Sequence, residues 1–412
     1  MKKFLALTLA LVMSLSLVAC GDKKTDDTKT DAPDQTEQPA ENEGAYKVAM
    51  ITDYGDITDQ SFNQTTYEAC KAFAEDNSIE FSYFRPAGDN TADRVAMIEK
   101  AVDEGFNVIV MPGYAFGGAI VEAAPEFPDV KFIALDVAAG DLLETAVAKA
   151  GEAYDYTPEN WDLNKYVDMS NVYCAVYQEE LCGYMAGYAA VKLGYKNLGF
   201  LGGMSVPAVV RYGYGFVQGV DAAAADLGLT DVKLNYIYGG QFFGDADITA
   251  VMDTWYQGGT EVVFACGGGI YTSAVDAAKK VGAKVIGVDV DQAGVIANYA
   301  GVDGMTVTSA MKGLYPATYD TLTDVIVNGN WEKYVGKIET LGLVSGTDPE
   351  ANYVQIPMGD GTQWSDSFTQ DDYKAMVADM FDGKVTVSND TKKAAKDFAT
   401  VITVNDQGQI KG

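Results

Sequence analysis

Histidine is absent from all 412 residues. That removes the usual zinc sites, the Ser-His-Asp and Cys-His nucleophile systems and the commonest general base. Cysteine is scarce, with five in the chain and no CxxC pair. Cys70, Cys174, Cys182 and Cys266 are scattered through apolar stretches. Cys174 and Cys182 could pair in an exported protein, and buried free thiols are the alternative. No GxxxxGK[ST] phosphate loop occurs. The glycines from Gly213 to Gly219 have the wrong spacing for a dinucleotide fingerprint and fall inside a helical pattern. Positive charge is also in short supply: 29 Lys and Arg stand against 59 Asp and Glu, a formal charge of −30. A chain so acidic gains nothing from counterion release, which argues against nucleic acid as a partner. Anionic lipid headgroups should repel it too. After the first twenty residues no apolar run is long enough to span a membrane.

The first twenty residues differ in kind. Lys2 and Lys3 precede an apolar run from Phe4 to Val18, broken only by Thr8, Ser14 and Ser16. It is short for a membrane span and lies where a secretory signal lies. It ends in Leu17-Val18-Ala19-Cys20, which resembles the lipobox of bacterial lipoproteins. The resemblance implies cleavage before Cys20, lipidation of its thiol and anchoring on the extracytoplasmic face of the cell membrane. Residues 21–45 then carry no aromatic and no large aliphatic side chain. They cannot bury enough apolar surface to fold, so the expectation is a solvated acidic tether. At random-coil scaling it reaches about 25–30 Å.

The rest, about 367 residues, suggests two domains. From Tyr46 short apolar runs alternate with amphipathic stretches. The runs read as buried parallel strands at 47–52, 79–84, 107–111, 130–135, 172–177, 198–202, 232–238, 261–266, 284–288 and 305–308. Helical patterns between them include 91–103, 179–192, 206–225 and 270–281. This predicts an α/β fold with two parallel sheets covered on both faces. The expected division is a first lobe over 46–170 and a second over 171–303. A return to the first lobe follows over 304–335, and 336–412 completes the second lobe with a tail carrying one helix at 371–381. The polar stretch 138–170 breaks the rhythm and reads as an insertion near the hinge.

Ligands of open parallel sheets sit beyond the carboxyl ends of the strands. The residues expected there include Asp53, Phe62, Asn63, Asp136, Phe242, Gly267, Gly268, Asp289 and Lys312. Carboxylates accept paired hydrogen bonds from vicinal hydroxyls. Aromatic faces hold flat rings, and glycines let a ligand approach the backbone. The set suits a polar ligand with a sugar and a flat heterocycle. Ordinary structural uses exist for the same residues. Asp53 can close a turn, Phe62 can start a core, Gly267–Gly269 can make a tight turn, and Asp136 and Asp289 can be solvated. Lys312 is read as opening a helix, where the macrodipole disfavours a cation, so a carboxylate or ligand hydroxyl is expected beside it.

Taken in order, several segments resemble the basic membrane lipoprotein family of ABC-transporter substrate-binding proteins. They include Ile51-Thr52-Asp53 with Asp59-Gln60-Ser61-Phe62-Asn63-Gln64, Phe132–Asp136, Gly202–Val209, Gly215–Gly219, Tyr238–Phe242, Gly267–Gly269, Gly287–Gln292 and Thr308–Lys312. The resemblance implies a type I periplasmic-binding-protein fold, two Rossmann-like lobes joined by a hinge. It implies a purine nucleoside in the cleft (guanosine, inosine or adenosine), an ABC permease as partner, and no cofactor, metal or catalysis. Phe62 and Phe242 would sandwich the base, with Phe243 as the other candidate in that register. Asp53, Asn63 and Asp136 would meet polar edges of the ligand. Asp289 and Lys312 would hold ribose hydroxyls, and a backbone amide at Gly267–Gly268 would add a contact. Two other function classes stand beside this. Asp53, Asp56 and Asp59 superficially resemble the calcium-holding aspartates of nucleoside hydrolases, though their spacing is looser. A surface adhesin or antigen is the third, without a repeat or apolar patch to support it.

Overall fold

Successive residues of a strand face opposite sides of its sheet, and in the first strand both sides are apolar. In β1 (Lys47–Ile51), Val48 and Met50 enter one core while Ala49 and Ile51 enter another, and all four are fully buried. Only a sheet covered on both faces accommodates such a strand. A computed structural model describes residues 45–411 and shows two such sheets. The strands after β1 are β2 (Glu80–Phe84), β3 (Val108–Pro112), β4 (Lys131–Leu135), β5 (Val172–Tyr177), β6 (Asn197–Gly202), β7 (Lys233–Tyr238), β8 (Val262–Cys266), β9 (Lys284–Asp289), β10 (Thr306–Lys312), β11 (Ile338–Leu341), β12 (Val354–Gln355) and β13 (Thr403–Gln409). The first sheet has the order β11-β5-β4-β3-β1-β2 and the second β12-β10-β9-β8-β6-β7-β13. All pairings are parallel except β10 with β12.

The helices are α1 (Phe62–Asn77), α2 (Thr91–Asp103), α3 (Gly117–Ala123), α4 (Ala139–Lys149), α5 (Leu163–Tyr166), α6 (Glu179–Lys192), α7 (Pro207–Asp226), α8 (Ala246–Gln257), α9 (Tyr271–Val281), α10 (Ala293–Ala300), α11 (Leu314–Leu322) and α12 (Gln370–Phe381). Glycines bring α6 and α7 together. A Cβ on Gly183 or Gly187 would collide with backbone carbonyls of Tyr212 or Phe216, and one on Gly215 or Gly219 with those of Glu180 or Tyr184. Backbone-to-backbone approach at four points fixes the register of the two helices.

The lobe boundaries differ from those expected. β5 pairs with β4 and β11, so 172–177 closes the first lobe instead of opening the second. The second lobe begins with α6, which packs on α7 and β10. The strand Thr306–Lys312, β10, pairs with β9, so it belongs to the second sheet and not to a return. The return consists of α11, which packs on α1, and β11. The chain therefore changes lobe at 177–179, at 312–314 and again between Leu341 and Val354. Sheet membership depends on hydrogen bonds to distant strands, and a strand's own pattern does not name its partner. The stretch 138–170 is also only partly an insertion. Its first third is α4, an ordinary cover helix burying Leu142, Leu143, Ala146 and Val147. The segment after Gly359 adds β13 to the one helix expected. Among the described residues no helix is long and apolar enough to cross a membrane. Cys20, the signal and most of the tether lie outside the described residues.

Candidate functional site

A cavity of about 410 Å³ lies between the lobes at the carboxyl ends of the strands. Sites for small organic ligands span about 300–1,000 Å³. All nine residues singled out above line it. Asp53 follows β1, Phe62 and Asn63 open α1, and Asp136 follows β4. From the other lobe, Phe242 follows β7, Gly267 and Gly268 follow β8, Asp289 ends β9 and Lys312 ends β10.

Lys312 sits at the centre. It is the last residue of β10 and does not open a helix, since α11 starts at Leu314. Its burial has a different cause from a helix end. The Nζ lies 2.5 Å from Asp136 Oδ2, 3.6 Å from Glu179 Oε1 and 3.8 Å from Asp289 Oδ1. The ring centroids of Phe62, Tyr177 and Tyr212 stand 4.7, 5.3 and 5.8 Å away. Burial alone would lower the ammonium pKa, and the three carboxylates outweigh it, so the pKa is raised. Burial raises the Asp289 carboxyl against the pull of Lys312, and that of Glu179 against Arg211 and Lys312. Burial also pushes Glu180 and Asp141 up to about 7.

Two strand-end aspartates have left-handed backbones, Asp136 with φ 60° and Asp289 with φ 64°. Such residues away from glycine store strain, on the order of 1–3 kcal/mol, and cluster at binding sites. They occupy equivalent places in the two lobes. Asp289 is held by Ser61 Oγ at 2.6 Å and by Tyr212 Oη at 3.1 Å, both donating. Asp136 Oδ1 and Asn63 Oδ1 are buried and have no donor among the described residues. A ligand bearing O–H or N–H groups would satisfy them.

Phe242 and Phe243 both line the cavity and differ in exposure. Phe242 is half-buried, and its ring lies on Gly203 and Gly267, where a Cβ on either would strike it. Phe243 is 62% exposed. Tyr54 approaches Phe242 from the first lobe, with centroids 6.2 Å apart and planes at 25°. The lobes also meet through Tyr54 Oη donating to Met204 Sδ at 3.3 Å and Gln292 Nε2 donating to the Gln60 carbonyl at 3.1 Å.

Sequence reasoning left Tyr54, Glu179 and Arg211 unassigned. Glu179 comes two residues after β5, so the strand-end rule would have found it. Arg211 lies inside α7 and carries no such signal. The α6–α7 glycine contacts place the two side by side, with Arg211 Nε donating to Glu179 Oε2 at 2.6 Å. The aspartates compared with a hydrolase cluster are spent on the chain itself. Asp53 accepts from the amides of Tyr54 and Gly55, and Asp59 from those of Ser61, Asn63 and Gln64. Asp56 pairs with Arg85 at 2.6 Å. The four cysteines are free and buried, so Cys174 and Cys182 are not paired.

Residues 46–347 match the family model of PnrA-like ABC transporter substrate-binding proteins. The chain belongs to this family. The ABC transporter nucleoside-binding protein BmpA of Lactococcus lactis is 25% identical over 404 residues, covering 94% of this chain and 99% of that protein. Basic membrane protein B of Borreliella burgdorferi is 26% identical over 322 residues, 75% of this chain and 83% of the relative. An uncharacterized lipoprotein of Pyrococcus abyssi is 25% identical, covering 82% and 74%. Among solved structures, a solute-binding protein of an ABC transporter system from Aeropyrum pernix K1 superposes with a TM-score of 0.59 at 19% identity, covering 86% and 90% of the two chains. One from Conexibacter woesei gives 0.58 at 20% identity, with 84% and 99% covered. The family fold is the type I periplasmic-binding-protein fold, and its members bind substrates for ABC transporters.

Proposed function

We propose that this chain captures nucleosides, purine nucleosides above all, between its lobes and presents them to an ABC permease. The carrying observation is the cleft's complement of groups. Unpaired buried acceptors at Asp136 and Asn63 lie with the Lys312 ammonium, the Asp289 carboxylate and the Phe62 and Phe242 rings in one cavity fed by both lobes. Acceptors suit hydroxyl and ring N–H donors, and the rings suit a flat base. The printed name of the Lactococcus lactis relative supports the same reading. A ligand touching both lobes favours the closed arrangement. Calorimetry should show saturable binding of guanosine, inosine or adenosine. Free ligand at a hundredfold excess over Kd should add about 2.7 kcal/mol of stability. No heat with any purine or pyrimidine nucleoside would sink the proposal.

The address belongs to the same reading. A lipid on Cys20 and the tether after it would keep an acidic receptor near its permease, on the extracytoplasmic face of the membrane. Cys20→Ala protein should leave the membrane fraction and still bind nucleoside. Retention of the variant on membranes would refute the anchor.

A further inference from the structure

The segment after residue 347 lies outside the family match, yet its end reaches the loop that bears Phe242. From Ser388 onward it is fastened to α7. Ser388 and Gln218 exchange two hydrogen bonds, with Gln218 Nε2 donating to the Ser388 carbonyl at 2.9 Å and the Ser388 amide donating to Oε1 at 2.8 Å. Tyr214 Oη donates to the Lys393 carbonyl at 2.6 Å. Buried Asp221 accepts from the amides of Thr400, Val401 and Ile402. The chain then forms β13, a parallel neighbour of β7 that covers its free edge. The Ile410 amide donates to the Tyr238 carbonyl at 2.8 Å, at the point where β7 gives way to the loop bearing Phe242.

Lys411 closes the arrangement. Its ammonium pairs with Asp245 and reaches Gln241 Oε1 at 3.3 Å. Asp245 ends the same loop, and its Oδ1 caps α8 through the amides of Asp247 and Ile248 at 3.0 Å each. Gln241 Nε2 donates to Asp245 Oδ2 and to the Phe243 carbonyl, both at 2.9 Å. Gly240, at φ 84°, lies against Lys411, whose carbonyl would stand 2.8 Å from any Cβ there. Both ends of the loop 239–245 are thus gripped by one residue just beyond the added strand. On the cleft side, the Phe242 carbonyl accepts from the Gly269 amide at 2.9 Å.

We infer that Lys411, which follows β13, is a positioning residue for Phe242, so the segment beyond the family match tunes ligand affinity. The affinity part rests on the nucleoside reading above, and the loop part does not. The test uses full-length Lys411→Met and Lys411→Arg proteins. Amide exchange is followed over 239–245, together with guanosine, inosine and adenosine affinity and the unfolding midpoint without ligand. In Lys411→Met, loss of one half-buried ion pair should raise exchange in this loop and the nucleoside Kd by about threefold each, with the midpoint nearly unchanged. Lys411→Arg should restore both. Unchanged loop exchange overturns the inference whatever the ligand result. Faster exchange with unaltered affinity overturns it as well. A wild-type protein that binds no nucleoside refutes the proposed function, while the exchange result still decides whether Lys411 holds the loop.

Discussion

Replacing Lys312 with Met should cost about 3–5 kcal/mol of stability near neutral pH and abolish nucleoside binding. The side chain is 3% exposed and faces three carboxylates, themselves at most 10% exposed. Methionine fills similar space, so the loss comes from charge and not from a cavity. Asp136, Glu179 and Asp289 are left as buried acids with Arg211, which bonds Glu179, as the nearest cation. The pH dependence follows from the direction of their pKa values. Burial already raises Glu179 and Asp289, and loss of the ammonium removes a pull that lowers both. Acids with folded pKa values above the unfolded ones bind protons first in the folded state. Stability of the variant therefore rises as pH falls through the raised values toward the ordinary carboxylate range. Denaturation of both proteins at about pH 7.5 and about pH 5.5 should show the gap between them narrowing at the lower pH. A gap equal at both would mean that the carboxylates do not carry the cost.

The second large effect concerns recognition. Phe242→Ala should weaken nucleoside binding by about 1–3 kcal/mol, roughly 5- to 150-fold in Kd, through loss of one stacking face. Stability should change much less, because the ring is half-buried and packs only at the edge of the core, against glycines. Phe243→Ala is the control. That ring is 62% exposed and lies outside the Gly203–Gly267 cradle, so its removal should leave Kd within about twofold. Calorimetry on both variants decides the matter. Equal losses, or a larger loss at Phe243, would reverse the assigned register.

These two residues show how far the sequence reaches. Phe242 and Phe243 are adjacent and chemically alike, so a linear reading brings both to the cleft and cannot choose. The proposed choice of Phe242 rests on Gly203 after β6 and Gly267 after β8, which meet only when their strands lie side by side. Lys312 was selected for the right reason, a cation needing a carboxylate, but from a wrong location at a helix start. Arg211 escaped because the α6–α7 contact that joins it to Glu179 spans 32 positions, whereas Glu179 stands within reach of the strand-end rule.

By itself the sequence determined the α/β class, the first ten strands and the set of residues at the strand ends. Those follow from local physics: continuous apolar runs require coverage on both faces, and carboxyl ends of parallel strands gather at one edge. Its ordered motifs also carried the family resemblance. The tertiary structure alone decided the rest. It put β5 in the first sheet and β10 in the second, moved β11 back, and set β13 against β7. It surrounded Lys312 with acids from both lobes. Strand partnership is a hydrogen-bond choice among many edges of similar composition, and burial of a charge is set by whatever arrives from far along the chain. Neither is written in any one stretch of residues.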